Sequence, residues 1–220
     1  FKAKAKNQLQ VETLESASFS TYTLAALPGV VSTGAFSSVT NSAFTVSWTT
    51  NANPSGTNYY LEISTAVGFA SAGDTNSSWI TAISFTSSSI SSNFTYYARV
   101  KARNTLGVET TGYMFLGSTA TTAAPPLVLS TGSFFPVNVT SFTVSFSTNG
   151  NPTGTSYYIE ISTASGFDGA NDKDSGWGIF LSTPFASLVA NTTYFAQARA
   201  QNPTGALSAY NSLTSTVTRI

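Results

Sequence analysis

The residues best suited to chemistry in this chain are few and dispersed. The densest acidic stretch is FDGANDKDSGW, in which Asp168, Asn171, Asp172 and Asp174 place oxygen ligands beside glycine, the raw material of a calcium loop. No Glu follows at the distance an EF-hand loop requires, and the matching stretch FASAGDTNSSW keeps only Asp74, so the sequence predicts a solvated polar loop and no metal site. Hydroxyl nucleophiles need a neighbouring base, and glycosidase-type catalysis needs two carboxylates across a cleft. The chain has no His and no Cys, and its 9 acidic residues are scattered. Histidine base catalysis, thiol chemistry, disulfides, haem ligation by His and ordinary zinc sites are excluded together. Neither an enzyme nor a cofactor is expected.

Composition narrows the class further. In 220 residues, 9 Lys and Arg balance 9 Asp and Glu, so no basic excess is present to hold a phosphate backbone, and nucleic acid is not expected as a partner. Charged residues make up 8% of the chain and aromatic residues 13%, with Ser and Thr near 30%. That mixture is too aromatic for a disordered chain and reads as all-β. No apolar run approaches the ~20 residues of a membrane span, so no membrane insertion by this segment is expected. The opening FKAKAKNQLQ lacks the apolar centre of a secretory signal.

The elements that must carry any site are repeated. NANPSGTNYYLEIST at Asn51 to Thr65 recurs as NGNPTGTSYYIEIST at Asn149 to Thr163, a shift of 98 residues, and Trp79, Tyr96 and Asn104 fall on Trp177, Tyr194 and Asn202. Two homologous units follow, 28–124 and 125–220, with a boundary near TTAAPP, where prolines interrupt strand pairing. Phe1 to Thr13 falls without a gap on Ala98 to Thr110 at a shift of 97, so residues 1–27 are expected to be the last two strands of an incomplete upstream repeat. Period-two alternation runs through each unit: Phe44, Val46 and Trp48; Tyr59, Leu61 and Ile63; Tyr96, Ala98, Val100 and Ala102. Phe142, Val144 and Phe146, then Tyr157, Ile159 and Ile161, then Tyr194, Ala196, Ala198 and Ala200, copy those rows. No helical period survives. About seven short strands in ~97 residues predict a β-sandwich.

At this point the sequence resembles the fibronectin type III family, as tandem domains of a bacterial-type surface or extracellular array. The resemblance rests on Ile90 and Tyr96 in ISSNFTYYARVKARNTLG, on Leu188 and Tyr194 in LVANTTYFAQARAQNPTG, and on Trp48, which the second unit replaces with Phe146. It implies immunoglobulin-like sandwiches whose tyrosine hydroxyl bonds back to the corner before it. The family's proline two positions after the leucine is absent, with Ser92 and Ala190 in its place.

In such a sandwich Glu62 and Glu160 lie outward on the third strand, and Arg99, Lys101 and Arg199 outward on the neighbouring sixth. Cross-strand ion pairs are the simple expectation, each worth less than ~1 kcal/mol when exposed. The sharper expectation is a partner-contact face of Tyr60, Tyr97, Arg99, Tyr158, Phe195 and Arg199, since aromatic and Arg residues anchor interfaces. Trp79 and Trp177 are read as packing residues at a sheet edge and not as a sugar-stacking platform. Sequons at Asn76, Asn93, Asn138 and Asn191 admit a glycan. The expected function is a non-catalytic spacer, stalk or fibre subunit outside or on the cell, acting through protein contacts that include self-association. The alternative is an accessory or carbohydrate-binding module of a secreted polysaccharide-degrading enzyme.

Overall fold

The computed structural model describes residues 1–169 and 172–220; Asn171 of the acidic stretch lies outside them. Strands in the first unit are β1 (Gly29–Val30), β2 (Phe36–Ser37), β3 (Ala43–Thr49), β4 (Asn58–Ser64), β5 (Thr75–Ile80), β6 (Ser84–Ser88), β7 (Thr95–Arg103) and β8 (Met114–Ala120). Those in the second are β9 (Phe134–Val137), β10 (Phe142–Ser145), β11 (Ser156–Ser162), β12 (Lys173–Asp174), β13 (Ser182–Phe185), β14 (Thr193–Gln201) and β15 (Asn211–Val217). All pairing is antiparallel. In the first unit β3 pairs with β1, β2 and β6, and the facing sheet runs β5-β4-β7-β8. The second unit repeats this with β13-β10-β9 facing β12-β11-β14-β15. No helix occurs among the described residues, and none is long and apolar enough to cross a membrane.

Alternation decides which side of each strand is dry. Successive side chains of a strand point to opposite faces, so β3 buries Phe44, Val46 and Trp48 while Thr45 and Ser47 face outward. β4 and β7 bury Tyr59, Leu61, Ile63, Tyr96, Ala98, Val100 and Ala102 against that row, which makes one core. A second core repeats it around Phe142, Val144, Phe146, Ile159, Ile161 and Leu213. Alanines on β7 and β14 are the small residues packed in the same cores as the large rings. The corner tyrosines behave as the resemblance implied: Ser91 N–H donates to Tyr96 Oη at 2.9 Å, and Val189 N–H to Tyr194 Oη at 3.0 Å. Each gives a buried phenol its hydrogen bond.

Residues 1–19 form a hairpin outside both cores. Lys6 bridges Glu12, Ala5 N–H donates to Thr13 Oγ1 at 2.9 Å, and Asn7 Oδ1 accepts from Leu9 and Val11 N–H. The β7–β8 connection has the same bonds at Arg103 and Glu109, Ala102 and Thr110, and Asn104, Leu106 and Val108. Here Phe1, Ala3 and Ala5 are exposed, whereas their counterparts Ala98, Val100 and Ala102 on β7 are buried.

Candidate functional site

The outer face of the four-stranded sheet carries a row of rings and cations in each unit. Register fixes it: Tyr60 lies opposite Trp79 on one side and Lys101 on the other, and Tyr158 lies opposite Arg199. In the first unit Lys101 Nζ sits 5.3 Å from the Tyr60 ring, 5.5 Å from Trp79 and 5.1 Å from Tyr113. Its ammonium donates to Glu109 Oε2 at 2.5 Å. Burial acts to lower its pKa, but Glu109 and Tyr113 outweigh burial and hold it above the usual lysine value. One step along, Arg99 lies between the rings of Phe69 and Tyr113 at 4.2 and 4.1 Å and donates through Nε to Glu62 Oε2 at 2.6 Å. Tyr113 Oη donates to the other oxygen of Glu62 at 2.7 Å, and burial followed by that carboxylate raises the Tyr113 pKa. Arg99 and Lys101 are thus closed off by carboxylates of the same unit, while Arg103, the next cation of the row, lies over the Trp79 ring at 4.3 Å.

The second unit keeps the row and loses the closure. Arg199 lies over Tyr158, Trp177 and Tyr210 at 5.2, 5.4 and 4.4 Å. The expected Glu160–Arg199 pair does not form, because the residue opposite Glu160 on β14 is Gln197, whose Nε2 donates to it at 2.8 Å. Burial, with Asp174 adding to it, pushes the Tyr158 hydroxyl up to about 12. Of the expected contact face, Tyr60 and Arg99 in one unit and Tyr158 and Arg199 in the other join such rows. Tyr97 and Phe195 share the face but lie farther along it, opposite Ser64 and Ser162. Trp79 and Trp177 pack on Tyr60 and Tyr158 at 5.2 and 5.4 Å in tilted pairs. Sequence reading missed Tyr113 and Tyr210 because they stand just before the last strands, where no repeat alignment marked them. Among the described residues no cluster of three acidic side chains is placed to hold a metal ion. Asp174 instead accepts the Gly176 N–H at 2.8 Å.

A second feature is the joint between the units. Asn51 and Asn149 donate to Leu27 O and Pro125 O, while Asn104 and Asn202 donate to Thr23 O and Thr121 O. Asn53 clasps the Ala26 peptide at both N–H and C=O, and Asn151 does the same to Ala124. Each linker is therefore fastened to the unit it precedes. The upstream unit is fastened too, since Asn93 Nδ2 donates to Thr155 Oγ1 at 2.7 Å and Ser92 Oγ to Asn151 Oδ1 at 3.1 Å. Thr121 Oγ1 also bonds back to Ser91 O at 2.9 Å. Asn93, Thr121, Asn151, Thr155 and Asn202 are all buried. The sequon at Asn93 is thereby occupied by the joint, whereas Asn76, Asn138 and Asn191 are exposed. Asparagines repeating at the same three places were the available signal.

Solved structures give the fold a name. A two-domain fibronectin type III segment from chicken tenascin superimposes with a TM-score of 0.55 at 16% identity, over 87% of this chain and 99% of that one. The FN1–FN3 domains of chicken CNTN1 match at 18% identity over 100% of this chain and 74% of that one, with a TM-score of 0.37. No protein-family model matches the sequence, and no curated protein does. The chain has the tandem fibronectin type III fold.

Proposed function

We propose that the chain is a non-catalytic spacer or stalk segment of an extracellular or cell-surface array, built to hold successive units in a fixed relation. The observation that carries this reading is the buried polar joint. A flexible string of domains needs only an exposed linker, whereas here both ends of the linker and both units are tied by side-chain hydrogen bonds. Such bonds contribute roughly 1 kcal/mol each when made and cost more than that when a buried partner is left alone. A joint of this kind resists bending and transmits orientation from unit to unit.

The chain has no Cys, so spin labels on Thr81→Cys and Ser182→Cys report one distance across the joint. We expect a narrow distance distribution that broadens in Asn93→Ala. A broad distribution in the parent chain would remove the stalk reading. Residues 1–27 belong in the same proposal as the last two strands of a further unit, since their hydrogen bonds copy the β7–β8 connection. Trypsin should cut first at Lys2, Lys4 and Lys6, which are exposed, while both complete units persist. Protection of those lysines in a verified monomer would remove that assignment.

A further inference from the structure

The geometry points to Arg199 as a receptor for a carboxylate carried by a partner protein, on the outer sheet of the second unit. The position occurs three times in the chain, and in the other two the cation already holds a carboxylate. Lys4 bonds Glu12 at 3.1 Å and Lys101 bonds Glu109 at 2.5 Å, each Glu standing eight residues after its Lys. Eight residues after Arg199 stands Leu207, which keeps the cross-strand bridge of Glu12 and Glu109 but has no charge to offer. Among the described residues the Arg199 side chain makes no hydrogen bond or ion pair, and its Nε is buried without a partner. The acids on the same face are committed elsewhere, Glu160 to Gln197 Nε2 and Asp174 to the Gly176 amide, each at 2.8 Å.

The surroundings suit an interface anchor. Three rings hold the guanidinium, and exposed Leu207 adds an apolar rim. A planar guanidinium pinned among rings loses little conformational freedom on pairing, and its outward edge matches a carboxylate. The two internal glutamates identify the ligand chemistry: one carboxylate on a flexible side chain, reaching the cation from the next strand. A dianion such as phosphate fits less well, because Glu160 and Asp174 share the face.

The test uses the full chain with nitrogen-15 labelling and a blocked peptide, acetyl-Gly-Glu-Gly-amide, as probe. The Arg199 side-chain N–H signal should shift saturably with the Glu peptide and not with its Gln counterpart, while the Arg99 signal, already closed by Glu62, stays still. In Leu207→Glu the chain supplies its own carboxylate, so the response should fall at least tenfold while the fold, read from the amide spectrum, is kept. Equal responses to the Glu and Gln peptides, an undiminished response in a folded Leu207→Glu, a stronger response to inorganic phosphate, or no response at all would each overturn the proposal.

Discussion

The two complete units share a core and differ on the surface. Phe44, Val46, Leu61 and Ile63 have equally buried counterparts of similar size at Phe142, Val144, Ile159 and Ile161. On the outer sheet Arg99 becomes Gln197, Lys101 becomes Arg199 and Glu109 becomes Leu207. At the aligned positions the first unit pairs Arg99 with Glu62 and Lys101 with Glu109, whereas Arg199 of the second has no carboxylate of its own. Duplication thus fixed the layer where packing allows few answers, and released the layer where solvent tolerates many.

The sharpest way to test the shared core is its one large substitution. Trp48 is 1% exposed and its indole N–H is buried without a partner, while the second unit places Phe146 there. Trp48→Ala should cost ~3–5 kcal/mol through the cavity it leaves. Trp48→Phe should cost about 1–2 kcal/mol, because it also removes the unpaired donor. Amide exchange at Val46 and Val100 measures both, and equal losses would mean that the two cores are not equivalent.

Next in size is the linker clasp. Asn151→Ala strips three hydrogen bonds from a buried site and should cost ~2–3 kcal/mol in the second unit. The same change at Asn53 should cost less, since its bonds to Ala26 are exposed and no upstream hydroxyl joins them. Urea unfolding of each variant decides the order.

A smaller effect separates the loops themselves. Ala52 has φ 63° where the second unit has Gly150 at φ 78°. Left-handed backbone costs a Cβ-bearing residue roughly 1 kcal/mol. Ala52→Gly should therefore stabilise the first unit by about 1 kcal/mol and Gly150→Ala should weaken the second by a similar amount, as read from their melting temperatures.

The smallest concerns alkaline pH. With its folded pKa raised to about 12 from an ordinary 10, Tyr158 keeps its proton in the folded state while the unfolded chain loses it. Its contribution is whole below pH 10 and disappears as pH rises through 12. Tyr158→Phe should flatten the loss of second-unit stability over that window, followed by thermal melts at stepped pH.

Much of this was legible in the residues. Period-two rows at Phe44 to Trp48 and Tyr96 to Ala102 gave the strands and the buried faces, since alternation is a local property that burial enforces. The partner of Glu160 was not legible, because facing residues depend on register, and a two-residue offset along β14 exchanges Arg199 for Gln197. The role of Asn151 was not legible either, since its grip on Ala124 joins residues 27 apart and belongs to tertiary structure.

That grip has a mechanical consequence. Tension along the chain reaches the second unit through the linker, and the side chains of Asn202, Asn151 and Asn149 fasten that linker at Thr121, Ala124 and Pro125, before the first paired segment at Leu127. With Asn211 Nδ2 on Pro126 O as a fourth anchor, load is passed into the body of the unit at four points and does not begin by peeling the edge of a sheet. Stretching must break those amide contacts before the sandwich can unzip, so the linker acts as a strain relief, and the force needed to open a unit is set partly by residues outside its strands.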